Sequence, residues 1–161
     1  MQNQFDYKGQ GYRVRYADFI PPETVLWLQE NGLSLDINDY DFCYIRRTGD
    51  KTDKWELNKT FVVEIYSFPI DVIPALSFTD ILRLLPASLN VDEEDGMLEL
   101  KWNIRTDIER GKVFSFGYGP IGRSSLTIGF ENSNPVDAIS ELLTHIVSRY
   151  PQAIRSNNLK S

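Results

Sequence analysis

Gly117, Gly119 and Gly122 spell G-x-G-x-x-G, the spacing of a dinucleotide-binding turn. That chemistry needs a strand before the glycines and a helix after them, so that the helix N-terminus meets the pyrophosphate. A strand pattern, Lys112 to Phe116, does precede them. After them come Ser124-Ser125-Leu126-Thr127-Ile128, a strand pattern again, with Pro120 set among the glycines themselves. The βαβ unit is missing, and a flexible hairpin loop is the better reading. A weaker role remains, in which N–H groups around Tyr118, together with Arg123, cradle an anion.

The remaining reactive side chains are sparse. His145 is the only histidine. It falls off the apolar stripe of the last helix, beside Glu141 and Arg149, and reads as a surface residue. A nucleophilic pair would need that one imidazole to meet a hydroxyl or Cys43. Cys43 is the only cysteine, so no internal disulfide can form. It lies between Phe42 and Tyr44 on a strand and reads as a small buried hydrophobe. Asp92, Glu93, Glu94 and Asp95 are the densest carboxylate cluster. A calcium loop needs ligands at fixed alternate positions, a mid-loop glycine and a terminal Glu. Gly96 is misplaced for that, which leaves a solvated turn. The sequence therefore implies no cofactor and no metal.

Two sets of charges remain. Glu64 interrupts the apolar run FVVEIYSF. It is either paired, with Arg46 or Arg47, or it points into a cleft with a raised pKa, the one opening for a small carboxylate-dependent enzyme. Arg13, Arg15, Arg46 and Arg47, interleaved with Tyr12, Tyr16 and Tyr44, would make a basic strip on a sheet edge. Cations beside stacking rings are what a single-stranded nucleic acid requires. Lys and Arg number 17 against 23 Asp and Glu, a formal net charge of −6, so the long-range field opposes phosphate binding. Charged edges also keep sheets from pairing with other sheets.

The elements that must position these residues are legible in outline. Tyr12, Val14 and Tyr16 alternate with Arg13 and Arg15 as a short strand or arm. Pro21 and Pro22 open a helix through Asn31, which Gly32 stops. Phe42 to Ile45 is a short strand. FVVEIYSF, rich in β-branched and aromatic residues, is expected as the central strand of the sheet. Ser77 with Asp80 has the form of a capping box for a helix carrying Phe78, Ile81, Leu82 and Leu85, ended by Pro86. Leu98, Leu100, Trp102 and Ile104 alternate with Glu99, Lys101, Asn103 and Arg105 as a strand with one wet face. Lys112 to Phe116 and Leu126 to Phe130 complete an antiparallel meander.

The clearest element is the last. Asn134 is a good N-cap, Pro135 fits the first helical position, and Asp137 puts a carboxylate in the first turn. Val136, Ile139, Leu142, Leu143, Ile146, Val147 and Tyr150 recur at helical spacing as one apolar stripe. The fold class expected is α+β, a mainly antiparallel sheet of about five strands with about three helices packed mostly on one face. One globular domain spans 1–161, with 1–10 and 151–161 as loose tails. The chain is 42% hydrophobic, enough to fill a core, and no apolar run approaches the roughly 20 residues of a membrane span. The N-terminus lacks the basic and apolar regions of a signal peptide. Together these features fit a soluble cytoplasmic protein.

Three segments, PPETVLWLQENGL, DVIPALSFTDILRLLP and NPVDAISELLTHIV, carry a resemblance in their order and spacing. The chain resembles a group of small uncharacterised proteins encoded by phages, prophages and other mobile elements of gut bacteria, especially Bacteroidetes. Leu76 departs from that pattern, where the group often has Trp. The resemblance implies a genomic setting and no site residue. With no nucleophile–base pair, metal cluster or phosphate loop, the reading leans away from an enzyme. It favours a non-catalytic accessory protein whose partner is another protein, with nucleic acid and membrane disfavoured.

Overall fold

A computed structural model describes residues 5–7, 12–14, 16–49, 54–92, 94 and 96–158. The fold is α+β, and every strand pairing in it is antiparallel. In place of one sheet of five strands, the described residues form three sheets, of two, three and four strands. The chain divides into two compact units, Met1–Asp80 and Ile81–Ser161.

In the first unit β1 (Phe5–Tyr7) pairs with β2 (Tyr12–Val14). Helix α1 (Pro22–Glu30) comes next, and Gly32, at φ 96°, lets the chain turn out of it. Leu33 N–H reaches Leu28 C=O at 3.0 Å and Gly32 N–H reaches Gln29 C=O at 3.1 Å. That pairing is the left-handed helix stop expected of a glycine here. Val25 and Leu28 are fully buried. The three-stranded sheet sets β3 (Phe42–Arg47) between β4 (Glu56–Lys59) and β5 (Ile70–Pro74). Tyr44 is buried within it and donates its hydroxyl to Ile20 C=O at 2.8 Å.

The expected central strand FVVEIYSF is a 3₁₀ helix, Thr60–Ile65, with an irregular crossing from there to β5. β3 already holds the centre of this sheet, with partners on both edges, so the central place expected for the segment is taken, and it does not pair on the outer edge of β4 or β5. Thr60 is held by Asp41 C=O and Tyr40 C=O, which turns the chain away from β4. Val62, Val63 and Tyr66 are half-buried while Phe61, Glu64 and Ile65 are exposed. That period is near three, not two. β-propensity is overridden by the available partners.

Helix α2 (Phe78–Leu84) begins with the expected capping box. Asp80 Oδ2 accepts from Ser77 N–H at 2.9 Å and from the Ser77 hydroxyl at 2.8 Å, while Asp80 N–H reaches Ser77 Oγ at 3.3 Å. Ile81, Leu84 and Leu85 are buried, and Leu82, expected on the stripe, is exposed. In the second unit β6 (Ser88–Asn90), β7 (Met97–Asp107), β8 (Gly111–Pro120) and β9 (Ile128–Asn132) form a meander in that order. Helix α3 (Pro135–Arg149) packs on β8 and β9. Asn134 Oδ1 accepts from Val136 N–H at 2.9 Å, as its cap role requires. Val136, Ile139, Leu142, Leu143, Ile146 and Val147 are all buried. Residues 151–158, expected as part of a loose tail, form helix α4 (Pro151–Asn158), which buries Ile154. Among the described residues no helix is long and apolar enough to cross a membrane.

Candidate functional site

The residues singled out by motif do not assemble into a site. Gly117, Tyr118 and Gly119 lie inside β8, where their backbone pairs with Lys101, Leu100 and Glu99 of β7. No helix comes after them; the next element is β9. A Cβ on Gly117 would overlap Ile128 C=O and stand 2.9 Å from Gly129 Cα. One on Gly119 would overlap Ser125 C=O and stand 3.1 Å from its carbon. These glycines serve a close backbone approach, not a phosphate. Tyr118 is buried, its hydroxyl donates to Pro86 C=O at 2.7 Å, and burial pushes its pKa up. It is closed to a ligand. Arg123 is exposed in the β8–β9 connection, where its N–H reaches Pro120 C=O at 3.2 Å.

Of the expected arginine strip, Arg46 and Arg47 are neighbours at the end of β3 and line one cleft. Arg46 Nε lies 3.2 Å from Asp71 Oδ2 and its guanidinium stands 4.3 Å from the Trp55 ring centre. Arg47 stands 4.9 Å from the Phe68 ring. Arg13 is on β2, and Arg15 lies outside the described residues. A cleft of about 240 Å³ is lined by both Arg46 and Arg47, together with Lys54, Glu56, Tyr66 and Phe68. Glu64 does not line it. That carboxylate is exposed on the 3₁₀ helix, and Arg46 pairs with Asp71 in its stead.

Cys43 is buried as expected, and desolvation pushes its thiol up to about 11. His145 is half-buried, not on the open surface. It packs 5.4 Å from the Phe130 ring and 6.2 Å from the Tyr150 ring. Burial and then Arg149 hold its pKa below the ordinary value. Of the acidic cluster, Glu93 and Asp95 lie outside the described residues. Asp92 Oδ1 accepts from Glu94 N–H at 3.0 Å, as in a solvated turn. Among the described residues no three His, Cys, Asp or Glu gather closely enough to hold a metal ion.

What the structure brings together is the outer edge of β7. β6 covers only its beginning: Asn90, Leu89 and Ser88 face Met97, Leu98 and Glu99. The last bond on that side is Leu100 N–H to Ala87 C=O at 3.0 Å. Beyond it, no described strand pairs with residues 101–107. In an antiparallel ladder the outward-facing backbone groups alternate. Because Leu100 bonds outward, so do Trp102, Ile104 and Thr106. Lys101, Asn103, Arg105 and Asp107 bond inward, opposite Gly117, Ser115, Val113 and Gly111.

The side chains along this edge are sorted by the pleat. Trp102 and Ile104 are cross-strand neighbours of Phe116 and Phe114 and share their face, which Phe130 continues on β9. Trp102 is 67% exposed and Ile104 47%. At the tip Ile108 stands wholly in solvent. The tip is a tight loop. Asp107 Oδ1 accepts from Glu109 N–H at 2.9 Å and Arg110 N–H at 3.1 Å, and Gly111 at φ 73° takes the left-handed position.

The opposite face is charged and internally paired. Arg105 reaches Asp107 at 3.1 Å and Glu131 at 3.0 Å, Arg110 reaches Glu131 at 3.5 Å, and the Ser115 hydroxyl donates to Glu131 at 3.2 Å. Backbone N–H groups of Glu109 and Arg110 and then Arg105 hold Asp107 below the usual carboxylate range, and Arg105 does the same for Glu131. Two cations thus face two carboxylates, and Lys101 on the same face lies 3.4 Å from Glu99.

Sequence reasoning identified β7 but not its open edge. The alternation of Leu98, Leu100, Trp102 and Ile104 locates a strand and an apolar face. It does not say where the neighbouring strand stops. Comparison with protein-family models, with curated proteins and with solved structures returns no match.

Proposed function

We propose that this chain is a non-catalytic accessory protein of a phage or mobile element, acting by protein–protein contact, and that the open edge of β7 is its contact surface. The observation that carries the reading is Trp102, 67% exposed on a strand whose outward hydrogen-bonding groups beyond Leu100 have no described partner strand. Native sheets blunt such edges with charge, proline or bulges. Here the outward positions are Trp102, Ile104 and Thr106, so the edge offers both backbone bonds and apolar contact. That is the chemistry of strand addition, in which main-chain bonds supply affinity and alternate side chains supply specificity. Tryptophan is also the residue that most often dominates interface energy.

The genomic setting rests on the three-segment resemblance. We place the protein in the cytoplasm on the strength of its single, buried cysteine. The test is affinity capture from the native host with mass spectrometry, using the wild type beside Ile104→Lys. A partner recovered by the wild type and lost in the variant supports the reading. A partner retained equally by both removes the edge from it.

A further inference from the structure

We infer that the occupant of this edge is a second copy of the chain, paired antiparallel through β7 about a two-fold axis at Ile104. The inference rests on the contact surface proposed above and names its partner. Register selects that partner. The free edge runs over residues 101–107, bounded by β6 at one end and by the hairpin tip at the other. Its midpoint is Ile104. Only the even positions present backbone groups outward, so a second copy can pair only in registers that set even residues against even residues.

Centring on Ile104 sets it against its own copy and Trp102 against Thr106 of the second copy. All three outward residues are then used, giving about six main-chain hydrogen bonds. On the charged face Lys101, whose ammonium already bonds Glu99 and the carbonyls of Pro120 and Arg123, lies opposite Asp107 of the second copy, itself paired with its own Arg105, and Asn103 lies opposite that Arg105, so no like charges face one another. Each neighbouring permitted register is worse. Centring on Asn103 sets Lys101 against Arg105. Centring on Arg105 sets Arg105 against itself. Both juxtapose like charges in the closer, non-hydrogen-bonded spacing, which is destabilising. Centring on Trp102 would need the outward groups of Leu100, which already serve Ala87.

The apolar face agrees with this register. Trp102 and Ile104 of each copy join across the axis and continue the Phe114 and Phe116 rows of β8. The contact is isologous, as a closed dimer requires. It turns two four-stranded sheets into one continuous sheet. A single strand edge with two large side chains buries less than a standard interface, so the affinity expected is on the order of micromolar.

Sedimentation of the full chain over a wide concentration range reads the stoichiometry. The expected result is a species of twice 18.6 kDa that dissociates on dilution. Ile104→Lys places two ammonium groups on the axis and should return the monomer, with its circular dichroism unchanged because the side chain is already half outside. Ile104→Cys supplies a second readout. Facing Cα atoms about 5.5 Å apart fall within the span of a disulfide, so mild oxidation should cross-link that variant. Trp102→Cys, which faces Thr106, should not cross-link. A monomer at all concentrations, or a dimer indifferent to Ile104→Lys, overturns self-pairing. If the chain is monomeric and Ile104→Lys still abolishes capture of a host partner, the contact surface stands and only its occupant changes. If neither is seen, both fall.

Discussion

The glycines of β8 make the sharpest test, because they separate two reasons for glycine within one segment. At Gly117 and Gly119 the reason is space. An added methyl would overlap the carbonyl oxygens of Ile128 and Ser125, and it would sit 2.9 Å from Gly129 Cα or 3.1 Å from the Ser125 carbonyl carbon. These are backbone atoms, so relief requires moving the 121–128 connection off the strand. Overpacking of this kind costs about 3 kcal/mol or more, against a total stability of about 5–15 kcal/mol. For a chain of this length that is a fall of about 6–12 °C in Tm. At Gly111 and Gly122 the reason is conformation. Their φ values are 73° and 75°, with nothing within 4 Å of an added Cβ. Alanine there costs only about 1–2 kcal/mol, and asparagine, which tolerates the left-handed region, should recover most of it. The same Asn at Gly119 should be no better than Ala, since the overlap begins at Cβ. Thermal and denaturant melts of these variants read the difference directly. A Gly119→Ala protein within about 0.5 kcal/mol of wild type would refute the close-approach account. Saturable NAD or ATP binding lost in Gly119→Val would return the G-x-G-x-x-G spacing to a nucleotide role.

The same geometry sets three further outcomes. Leu143 is fully buried on α3, and Leu143→Ala should cost about 2–5 kcal/mol in a denaturant melt; a shift no larger than that of a surface change would mean the stripe faces something other than the core. Tyr118→Phe removes the donor to Pro86 C=O and should cost about 1–3 kcal/mol, because a buried acceptor is left unpaired. His145 has a lowered native pKa, so the unfolded chain takes up the proton first. Its contribution is complete above about pH 6.5 and is lost as pH falls through the lowered value. Melts from pH 7 to 5 should show that decline, and His145→Phe, which removes the only imidazole, should flatten it. The lowered carboxylates Asp107 and Glu131 lose their contribution at lower pH, so the two effects separate along the axis.

Local grammar is what the sequence expressed best. Asn134 with Pro135, Ser77 with Asp80, and Gly32 after Asn31 each carry a start or stop signal made by one or two residues acting on nearby backbone groups, and each is realised. Signals that depend on a neighbour were not legible. Phe61 to Phe68 has strong β-propensity, yet whether it becomes a strand depends on its neighbours, and the central place is held by β3 with its two partners. Gly117 and Gly119 look like a loop by composition, and only the path of residues 125–128 over them shows why a strand contains them. Arg46 and Arg47 do share one cleft, but the sequence did not show that Asp71 and the Trp55 ring engage the first and the Phe68 ring the second. Glu64 fell with the strand that was to bury it. Ile154 shows the reverse case: a single apolar residue in a polar stretch is too weak a pattern to announce α4, although packing makes use of it.

At the edge of β7 the physics of the fold and the choice of residues disagree, and that disagreement has a shape. An unrestricted apolar edge would template further strands without limit, as in fibrils. This one is finite. β6 occupies the outward groups through Leu100, and the turn at Asp107–Gly111 ends the strand, so residues 101–107 accept one added strand and no continuation along it. Lys101 and Arg105, interleaved with Trp102 and Ile104, penalise the registers on either side of the centred one. Apolar outward positions alone would indicate an unprotected edge. Together with defined ends and charges that disfavour the registers on either side of the centred one, they are the chemistry on which the proposal of a single added strand, the same strand from a second copy, rests.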